Sequence, residues 1–270
     1  MKKKELQKKY NNYIKSFVEY NEAYFNKEKP TVSDQEYDEL KKTILDLEQR
    51  YDFLSSSKSP INSVGFKPSK NFKKSFHKVP MLSLANAFSQ EDLENFEKKI
   101  LNFLSKDKKF KISYTAEPKI DGISASLTYE NGILKTGLSR GDGKEGEVIT
   151  SNLMTIDDIP KKVNAIDFPE EIDIRGEVFL KNSDFENLKE KFANPRNAAS
   201  GSLRQKDSKE TKKIPLKFIA YTFGYQKGLK IENQYEYLIK LKEWGFKTNP
   251  LNKLITGVKN LIKNYNEVEK

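Results

Sequence analysis

The spacing of apolar and polar positions predicts two helices before residue 55 and a mixture of strands and helices after it. Near the N-terminus, apolar side chains recur with the period of an amphipathic helix (Leu6, Tyr10, Tyr13, Ile14, Phe17 and Val18). A second set with this period follows Pro30 (Tyr37, Leu40, Ile44, Leu47 and Tyr51). Ser33 and Glu36 have the spacing of a capping box, which predicts the start of the second helix. Together the segments predict a helical hairpin.

A stretch rich in Ser, Pro, Gly and Asn, residues 55–70, separates this hairpin from the rest of the chain. Asn131-Gly132 lies between two later apolar runs and is typical of a tight hairpin turn. Short apolar runs predict strands at Lys111–Glu117, Ile123–Tyr129, Ile133–Leu138, Ile172–Leu180 and Leu216–Tyr225. Helices are predicted at Ser89–Leu104, at Ser183–Phe192 with a capping box of Ser183 and Glu186, and at Gln234–Trp244. Hairpins mixed with helices favour an α+β fold over a parallel doubly wound sheet. We place domains at 1–70 and 71–270.

The amino-acid composition excludes several classes of function for this chain. The chain has no Cys and a single His, His77, which excludes a disulfide scaffold, a cysteine nucleophile and a zinc site with thiolate or clustered histidine ligands. The 49 Lys and Arg against 39 Asp and Glu give a net charge of +10, which suits a polyanionic partner such as nucleic acid. An AT-rich genome explains the same lysine excess equally well. The basic N-terminus is followed by no apolar segment, and the chain has no apolar run of 18 residues. We therefore expect a soluble, cytoplasmic protein without a membrane segment.

A short motif between two predicted strands carries the most chemistry: Glu117-Pro118-Lys119-Ile120-Asp121-Gly122. A lysine that is partly desolvated and close to other cations can lose its proton and act as a nucleophile on a carbonyl or a phosphorus. Asp121 could orient Lys119 or help to hold a metal, and Gly122 permits close backbone approach. The competing interpretation is an ordinary turn with an exposed Lys and Asp, which is the commoner origin of such a tetrapeptide.

Two glycine-containing segments offer further candidate ligands. Residues 141–146 match G-x-G-x-x-G, but a strand that already pairs in a hairpin precedes them, which disfavours a dinucleotide-binding βαβ unit. The loop can still bring Arg140 to a phosphate. Farther along, the alternation in 174–179 places Arg175 and Glu177 on one strand face. A carboxylate there can bind a ribose hydroxyl or a metal, or can simply be solvated.

A run of small residues within 194–205 is flanked by Arg196 and Arg204. Arginine is the preferred phosphate partner, and small side chains let a backbone pass close to another molecule. The alternative is a tightly packed turn beside a helix.

Taken together and in this order, these segments resemble the NAD-dependent DNA ligases of bacteria over nearly the whole chain. Residues 24–38 resemble that family's small helical domain, and Val79–Leu84 with Asn86 resembles the opening of its nucleotidyltransferase domain. The segments around Lys119, 140–143, 175–179 and 192–205 then follow in family order.

The resemblance implies a function and a site. Lys119 would attack the α-phosphate of NAD, release nicotinamide mononucleotide (NMN) and carry AMP, with Asp121 acting close to the lysine and to Mg²⁺. The AMP would pass to the 5′-phosphate of nicked double-stranded DNA, for sealing in replication and repair. The resemblance further implies adenine contacts at Ser83, Leu84 and Glu117, ribose contacts at Arg140 and Glu177, NMN contacts at Tyr24, Phe25, Asp34, Tyr37 and Asp38, and DNA phosphate contacts at Arg196 and Arg204.

The chain departs from the family pattern in two respects. Phe25 stands where the family usually carries Tyr or His, so a polar tip is missing from the NMN site. The chain has no counterpart of the family's later Asp-Gly strand, which carries a second lysine. It also has no counterpart of the family's OB, tetracysteine zinc-finger, helix-hairpin-helix and BRCT domains. We therefore expect an ATP-grasp-like nucleotidyltransferase domain that is truncated at its C-terminus, monomeric and without zinc. The alternatives are a fragment that binds NAD or DNA without ligation, and an inactive fragment.

Overall fold

The computed structural model describes residues 3–23, 31–59, 72–107 and 109–269, and it gives the side chain of Asp34 no described position. The predicted domain boundary near residue 70, Tyr24 and Phe25 lie outside these ranges. The described helices are α1 (Lys3–Asn21), α2 (Asp34–Arg50), α3 (Gln90–Phe103), α4 (Thr150–Leu153), α5 (Asn182–Phe185), α6 (Pro195–Leu203), α7 (Ser208–Lys212), α8 (Gln234–Glu243) and α9 (Val258–Glu269). The described strands are β1 (Lys74–Phe76), β2 (Ser113–Ala116), β3 (Ile123–Glu130), β4 (Ile133–Ser139), β5 (Glu145–Glu147), β6 (Glu171–Phe179), β7 (Lys217–Lys227) and β8 (Lys253–Thr256).

The N-terminal hairpin of α1 and α2 follows from the helical period of its apolar residues. α1 buries one stripe of side chains in the core that it shares with α2 (Leu6, Tyr10, Ile14 and Phe17). The predicted capping box begins α2: the Ser33 hydroxyl accepts from the Glu36 N–H at 3.2 Å, and the Glu36 carboxylate accepts from the Ser33 N–H at 2.9 Å. Tyr37 ties the two helices together, since its hydroxyl donates to Asn21 Oδ1 at 2.8 Å.

A four-stranded antiparallel sheet in the order β4-β3-β6-β7 forms the centre of the second part. The predicted hairpin between β3 and β4 is confirmed, with φ of 50° at Asn131 and 75° at Gly132. A Cβ at Gly132 would lie 2.2 Å from the Val163 carbonyl oxygen, so the turn needs glycine there. The antiparallel pairing and the interspersed helices confirm the α+β fold.

The two faces of this sheet differ in chemistry because side chains alternate along each strand. One face lies in the main hydrophobic core (Ala125, Leu127, Tyr129, Ile172, Ile174, Val178, Phe218 and Ala220). The opposite face of β3 and β6 carries polar residues that are partners in register (Ser124 with Glu177, Ser126 with Arg175, and Thr128 with Asp173). The candidate chemistry of the sequence therefore collects on this polar face.

Two short strand pairs hold the segments around the sheet. β1 pairs with β5, and this pairing fastens the chain before residue 81 to the loop that follows β4. β2 pairs with β8, so the strand that leads into the Lys119 motif is braced by a strand from the C-terminal part. Helix α6 contacts β3 and β6 and buries small side chains (Ala198, Ala199, Ser200 and Ser202).

The helix predicted at Ser183–Phe192 is wrong in its extent and in its cap. α5 ends at Phe185 and continues only as a short 3-10 helix, Glu186–Leu188. The N-cap is Lys181, whose side chain makes no capping hydrogen bond. Ser183 already lies inside the first turn, so its hydroxyl cannot occupy the N-cap position that the capping box requires.

Candidate active site

Glu177 lies at the centre of the polar face and gathers the charged candidates around it. Its register partner on β3 is Ser124, whose hydroxyl donates to Glu177 Oε2 at 2.9 Å. Burial raises the pKa of Glu177 to about 6, although the Ser124 hydrogen bond and the positive charges of Arg196, Lys119 and Arg140 act in the opposite direction. The structure thus brings together residues that are 77 positions apart in the sequence, Lys119 and Arg196, on one carboxylate.

Gly122 explains how the Lys119 motif reaches this carboxylate. A Cβ at Gly122 would lie 2.3 Å from the Val178 carbonyl oxygen and 2.9 Å from Glu177 Cγ. Only glycine therefore lets the chain after Lys119 run directly against β6. Lys119 itself is exposed, as the turn interpretation anticipated, but it lies within electrostatic range of Glu177.

Arg140, which directly follows β4, and Tyr221 of β7 line the same site. Burial and the neighbouring Arg196 lower the pKa of Arg140, whereas Glu177, Tyr221 and Tyr37 raise it. Burial, and next the charge of Glu177, raise the pKa of Tyr221 to about 12, so its phenol is neutral at physiological pH. Tyr37 of the helical hairpin is thus within electrostatic range of Arg140.

Tyr221 lies on the polar face, at a bulge in β7. Gly176 is the partner of Ala220 and Arg175 is the partner of Thr222, so Tyr221 has no partner on β6. An extra residue of this kind re-aims the side chains of a strand. Sequence analysis missed Tyr221, although the step in core positions from Ala220 to Phe223 is a change of period that accompanies the bulge.

Arg196 forms an ion pair with the motif carboxylate. Its Nη1 donates to Asp121 Oδ1 at 2.9 Å, and the Asp121 side chain is 65% exposed. The start of α6 positions Arg196, because the Asn194 side chain caps the helix by accepting from the Asn197 N–H at 2.7 Å. Pro195 occupies the first turn, where a proline costs no helical hydrogen bond.

Glu117 lies at the other end of the motif, half-buried beside α8. Gln234 Nε2 donates to Glu117 Oε1 at 2.9 Å and to the Tyr221 carbonyl oxygen at 2.6 Å. Burial raises the pKa of Glu117, and the Gln234 hydrogen bond only partly opposes this. Gln234 is a second residue that sequence analysis missed. It links Glu117 to β7.

Arg204 has a partner that the sequence did not predict. Its Nε donates to Glu147 Oε2 at 3.2 Å, and its Nη1 donates to Ser200 Oγ at 3.3 Å. The Glu147 side chain is fully buried at 0% exposure, whereas that of Arg204 is 26% exposed. Arg204 therefore compensates a buried charge and still presents an edge to the surface.

The remaining predicted ligands that the structure describes are Ser83, Leu84, Tyr37 and Asp38. Ser83 and Leu84 are both exposed, in the segment that follows the buried Met81. Tyr37 and Asp38 are half-buried on α2. Lys42 Nζ lies 4.8 Å from the centre of the Phe88 ring, a second contact between the hairpin and the rest of the chain.

The described residues contain no cluster of three or more His, Cys, Asp or Glu that could hold a metal ion. Among those same residues, no helix has the length and apolar character needed to cross a bilayer.

Comparison of the sequence with known protein families assigns the chain to one family. Residues 69–270 match the family model of the NAD-dependent DNA ligase adenylation domain. The chain belongs to the NAD-dependent DNA ligase family. Residues 3–65 match a second model, the DNA ligase-like, N-terminal NAD+-binding domain, which corresponds to the helical hairpin.

Relatives of this ligase family cover the chain almost completely. It is 63% identical over 269 residues to a DNA ligase of Pelagibacter ubique, which covers 100% of this chain and 40% of that ligase. It is 43% identical to a DNA ligase of Mesorhizobium japonicum, over 93% of this chain and 35% of the relative. It is 45% identical to a DNA ligase of Rickettsia bellii, over 92% of this chain and 37% of the relative. The chain thus spans about two fifths of the length of the ligases that it matches.

The raised pKa of Glu177 predicts a pH-dependent loss of stability. Between its unfolded pKa of 4.5 and its folded value of about 6, the folded protein holds a proton that the unfolded chain releases. The free energy of unfolding should therefore fall by about 2 kcal/mol from pH 4 to pH 7 through this group. Glu177→Gln should abolish this fall. Urea unfolding at the two pH values measures it, with the exposed Glu190→Gln as the matched control. A wild-type pH dependence in Glu177→Gln would contradict the assignment.

Proposed function

We propose that the chain is the adenylation module of an NAD-dependent DNA ligase, with Lys119 as the residue that carries AMP. The observation that supports this most directly is the convergence of Lys119, Arg140 and Arg196 on Glu177. Transfer of a phosphoryl-type group depends mainly on positioning and on positive charge around the phosphates. A nucleophilic amine with two guanidinium groups nearby suits that requirement.

The reaction breaks one bond and forms another at the α-phosphorus of NAD, which is a substrate here. The unprotonated Nζ of Lys119 forms the N–P bond, and the P–O bond to the NMN phosphate breaks. NMN leaves with the oxygen and its electron pair, and the amine proton passes to solvent. Asp121 lies next to this centre and would orient Lys119 once Arg196 turns to a phosphate.

The adenine end of NAD fits the surroundings of Glu117. This carboxylate is half-buried, and within the described part of the chain only its Oε1 accepts a hydrogen bond. The second oxygen of this carboxylate can accept from an N–H group of a ligand, such as the exocyclic amine of adenine. Ser83 and Leu84 would complete the adenine pocket. Glu177 and Arg140 would contact the ribose.

The NMN end of NAD would bind to the helical hairpin. We propose Tyr24, Phe25, Asp34, Tyr37 and Asp38 for this role. Support comes from the match of residues 3–65 to an NAD+-binding domain and from the electrostatic effect of Tyr37 on Arg140. We propose domain bounds of 1–70 and 71–270, in keeping with the two family models that match the chain.

Mg²⁺ and nicked DNA are further proposed partners. Mg²⁺ usually binds through one or two carboxylates together with substrate phosphates, which suits the exposed Asp121 and the absence of a three-residue metal cluster among described residues. Arg196 and Arg204 would contact DNA phosphates, since each exposes part of its side chain. A cytoplasmic monomer remains our prediction.

Intact-protein mass spectrometry tests the proposal. After incubation with NAD and Mg²⁺, the chain should gain the mass of one AMP, and peptide mapping should locate the adduct on Lys119. Parallel incubation with ATP should give none. An adduct with ATP alone would overturn the assignment of NAD. No adduct, together with binding of NAD in calorimetry, would favour a binding module without turnover.

A further inference from the structure

The segment from His77 to Leu84 connects β1 to the proposed adenine contacts, and most of its side chains are exposed. Backbone hydrogen bonds fasten it to the loop after β4 on one side. The His77 N–H donates to the Lys144 carbonyl oxygen at 2.9 Å, and the Met81 N–H donates to that of Gly143 at 2.8 Å. On the other side, two charged side chains of β6 reach it: Glu171 accepts from Lys78 Nζ, and Arg175 donates to the main chain.

The buried one of the two is Arg175, which is 7% exposed. Its Nη1 donates to the Pro80 carbonyl oxygen at 3.1 Å, and its Nη2 donates to the carbonyl oxygen of Val79. The two acceptors lie on successive residues of a stiff dipeptide, because Pro80 has a fixed φ and restricts the residue before it. One planar guanidinium therefore fixes two successive carbonyl groups of the chain, the second of them three residues before Ser83.

Gly224 of β7 makes room for this guanidinium. A Cβ at Gly224 would lie 2.6 Å from Arg175 Nη2 and 2.8 Å from both Cζ and Nε. These distances are far inside van der Waals contact, so any larger residue at 224 would push the guanidinium away from its two carbonyls. The absence of a side chain at Gly224 of β7 thus provides the space that the Arg175 guanidinium occupies.

The charge of Arg175 is balanced within the sheet. Burial lowers its pKa, and Asp173 on the same strand acts in the opposite direction. Asp173 is held in turn, since it accepts from Thr128 Oγ1 at 2.7 Å and from the Tyr225 N–H at 3.3 Å. Because its terminal nitrogens already donate to main-chain carbonyls, Arg175 acts on a ligand only through the segment that it holds.

We infer that Arg175 is a positioning residue for nucleotide binding, which it serves by holding the segment 79–84 in place. This inference rests on the proposed function. Contacts to the adenosine part of NAD persist through the reaction. Their loss therefore weakens binding of the ground state and of the transition state equally, which raises the half-saturating concentration and leaves the maximal rate unchanged.

Single-turnover adenylation at several NAD concentrations tests the inference. We expect Arg175→Met to raise the half-saturating NAD concentration about tenfold or more, with a maximal rate within about threefold of wild type. Arg175→Lys should be intermediate, because an ammonium group lacks the planar fork that reaches both carbonyls. Gly224→Ala should resemble Arg175→Met with Arg175 itself unchanged. The matched control is Lys227→Met, at the end of β7, which removes an exposed ion pair with Glu170.

Two results would overturn the inference: an unchanged half-saturating concentration in both Arg175→Met and Gly224→Ala, or a lower maximal rate at unchanged half-saturation. A purely structural role would lower the melting temperature without changing the half-saturating concentration of the folded protein.

Hydrogen–deuterium exchange of peptides that cover 77–86 gives a readout independent of activity. We expect the Met81 amide to exchange faster in Arg175→Met and in Gly224→Ala than in wild type and Lys227→Met. Equal exchange in all of them would overturn the inference even if no protein formed an adduct. A wild-type protein without an adduct would count against the proposed function alone.

Discussion

We expect Lys119→Ala and Lys119→Arg to form no AMP adduct with NAD, a loss of at least roughly 10³-fold in rate. Alanine removes the nucleophilic nitrogen, and arginine stays protonated at any pH at which the protein is folded. Both variants should keep wild-type stability within about 0.5 kcal/mol, because Lys119 is exposed. Intact mass after incubation with NAD and Mg²⁺ measures the first effect, and urea unfolding measures the second.

The matched control for Lys119 is Lys135→Ala, which removes an exposed lysine from β4. This variant should gain AMP at the wild-type rate. An adduct in Lys119→Ala would mean that another side chain is the nucleophile. The loss of Lys119 has a second expected effect, since one of the charges that lower the pKa of Glu177 disappears. The pKa of Glu177 should therefore rise further in Lys119→Ala.

Arg204→Met should lower the free energy of unfolding by roughly 3 kcal/mol, although Arg204 was first singled out as a DNA contact. The reason is its partner, Glu147, which is fully buried and accepts from Arg204 Nε at 3.2 Å. Without the guanidinium, the carboxylate keeps its desolvation cost and loses a charged donor. Urea unfolding at neutral pH measures the difference.

A double variant separates the two roles of Arg204. Glu147→Gln removes the buried charge, so Glu147→Gln with Arg204→Met should recover part of the lost stability while binding of nicked duplex stays weak. Lys206→Met, an exposed neighbour, should change stability by no more than about 0.5 kcal/mol. Equal stabilities of wild type and Arg204→Met would contradict the compensating role of Arg204.

Local signals in the sequence predicted the elements well. The capping box of Ser33 and the Asn131-Gly132 turn each depend on residues within three positions of one another, and both are confirmed. The alternation that placed Arg175 and Glu177 on one face is confirmed too. That face is largely shielded from solvent at these positions, because Arg175 is buried and Glu177, for which solvation was the alternative, is half-buried. Alternation fixes the side of a strand and not what covers that side.

The contacts that shape the site could not be predicted, because they join distant segments. Glu147 and Arg204 are 57 residues apart, and Glu117 and Gln234 are 117 apart. The bulge at Tyr221 likewise depends on how β7 pairs with β6. The resemblance to a family placed most candidate residues in one site, but only the fold shows that Arg204 supports a buried carboxylate.

The central sheet makes the length of β6 as important as its composition. β6 is paired on both sides, with β3 and with β7, and its core residues alternate with those that face the site. One inserted residue would exchange the two sets beyond the insertion and drive Arg175 or Glu177 towards the core. β7 pairs on one side only in this sheet and already accommodates an extra residue at Tyr221. We therefore expect an inserted residue to cost more stability in β6 than in this edge strand.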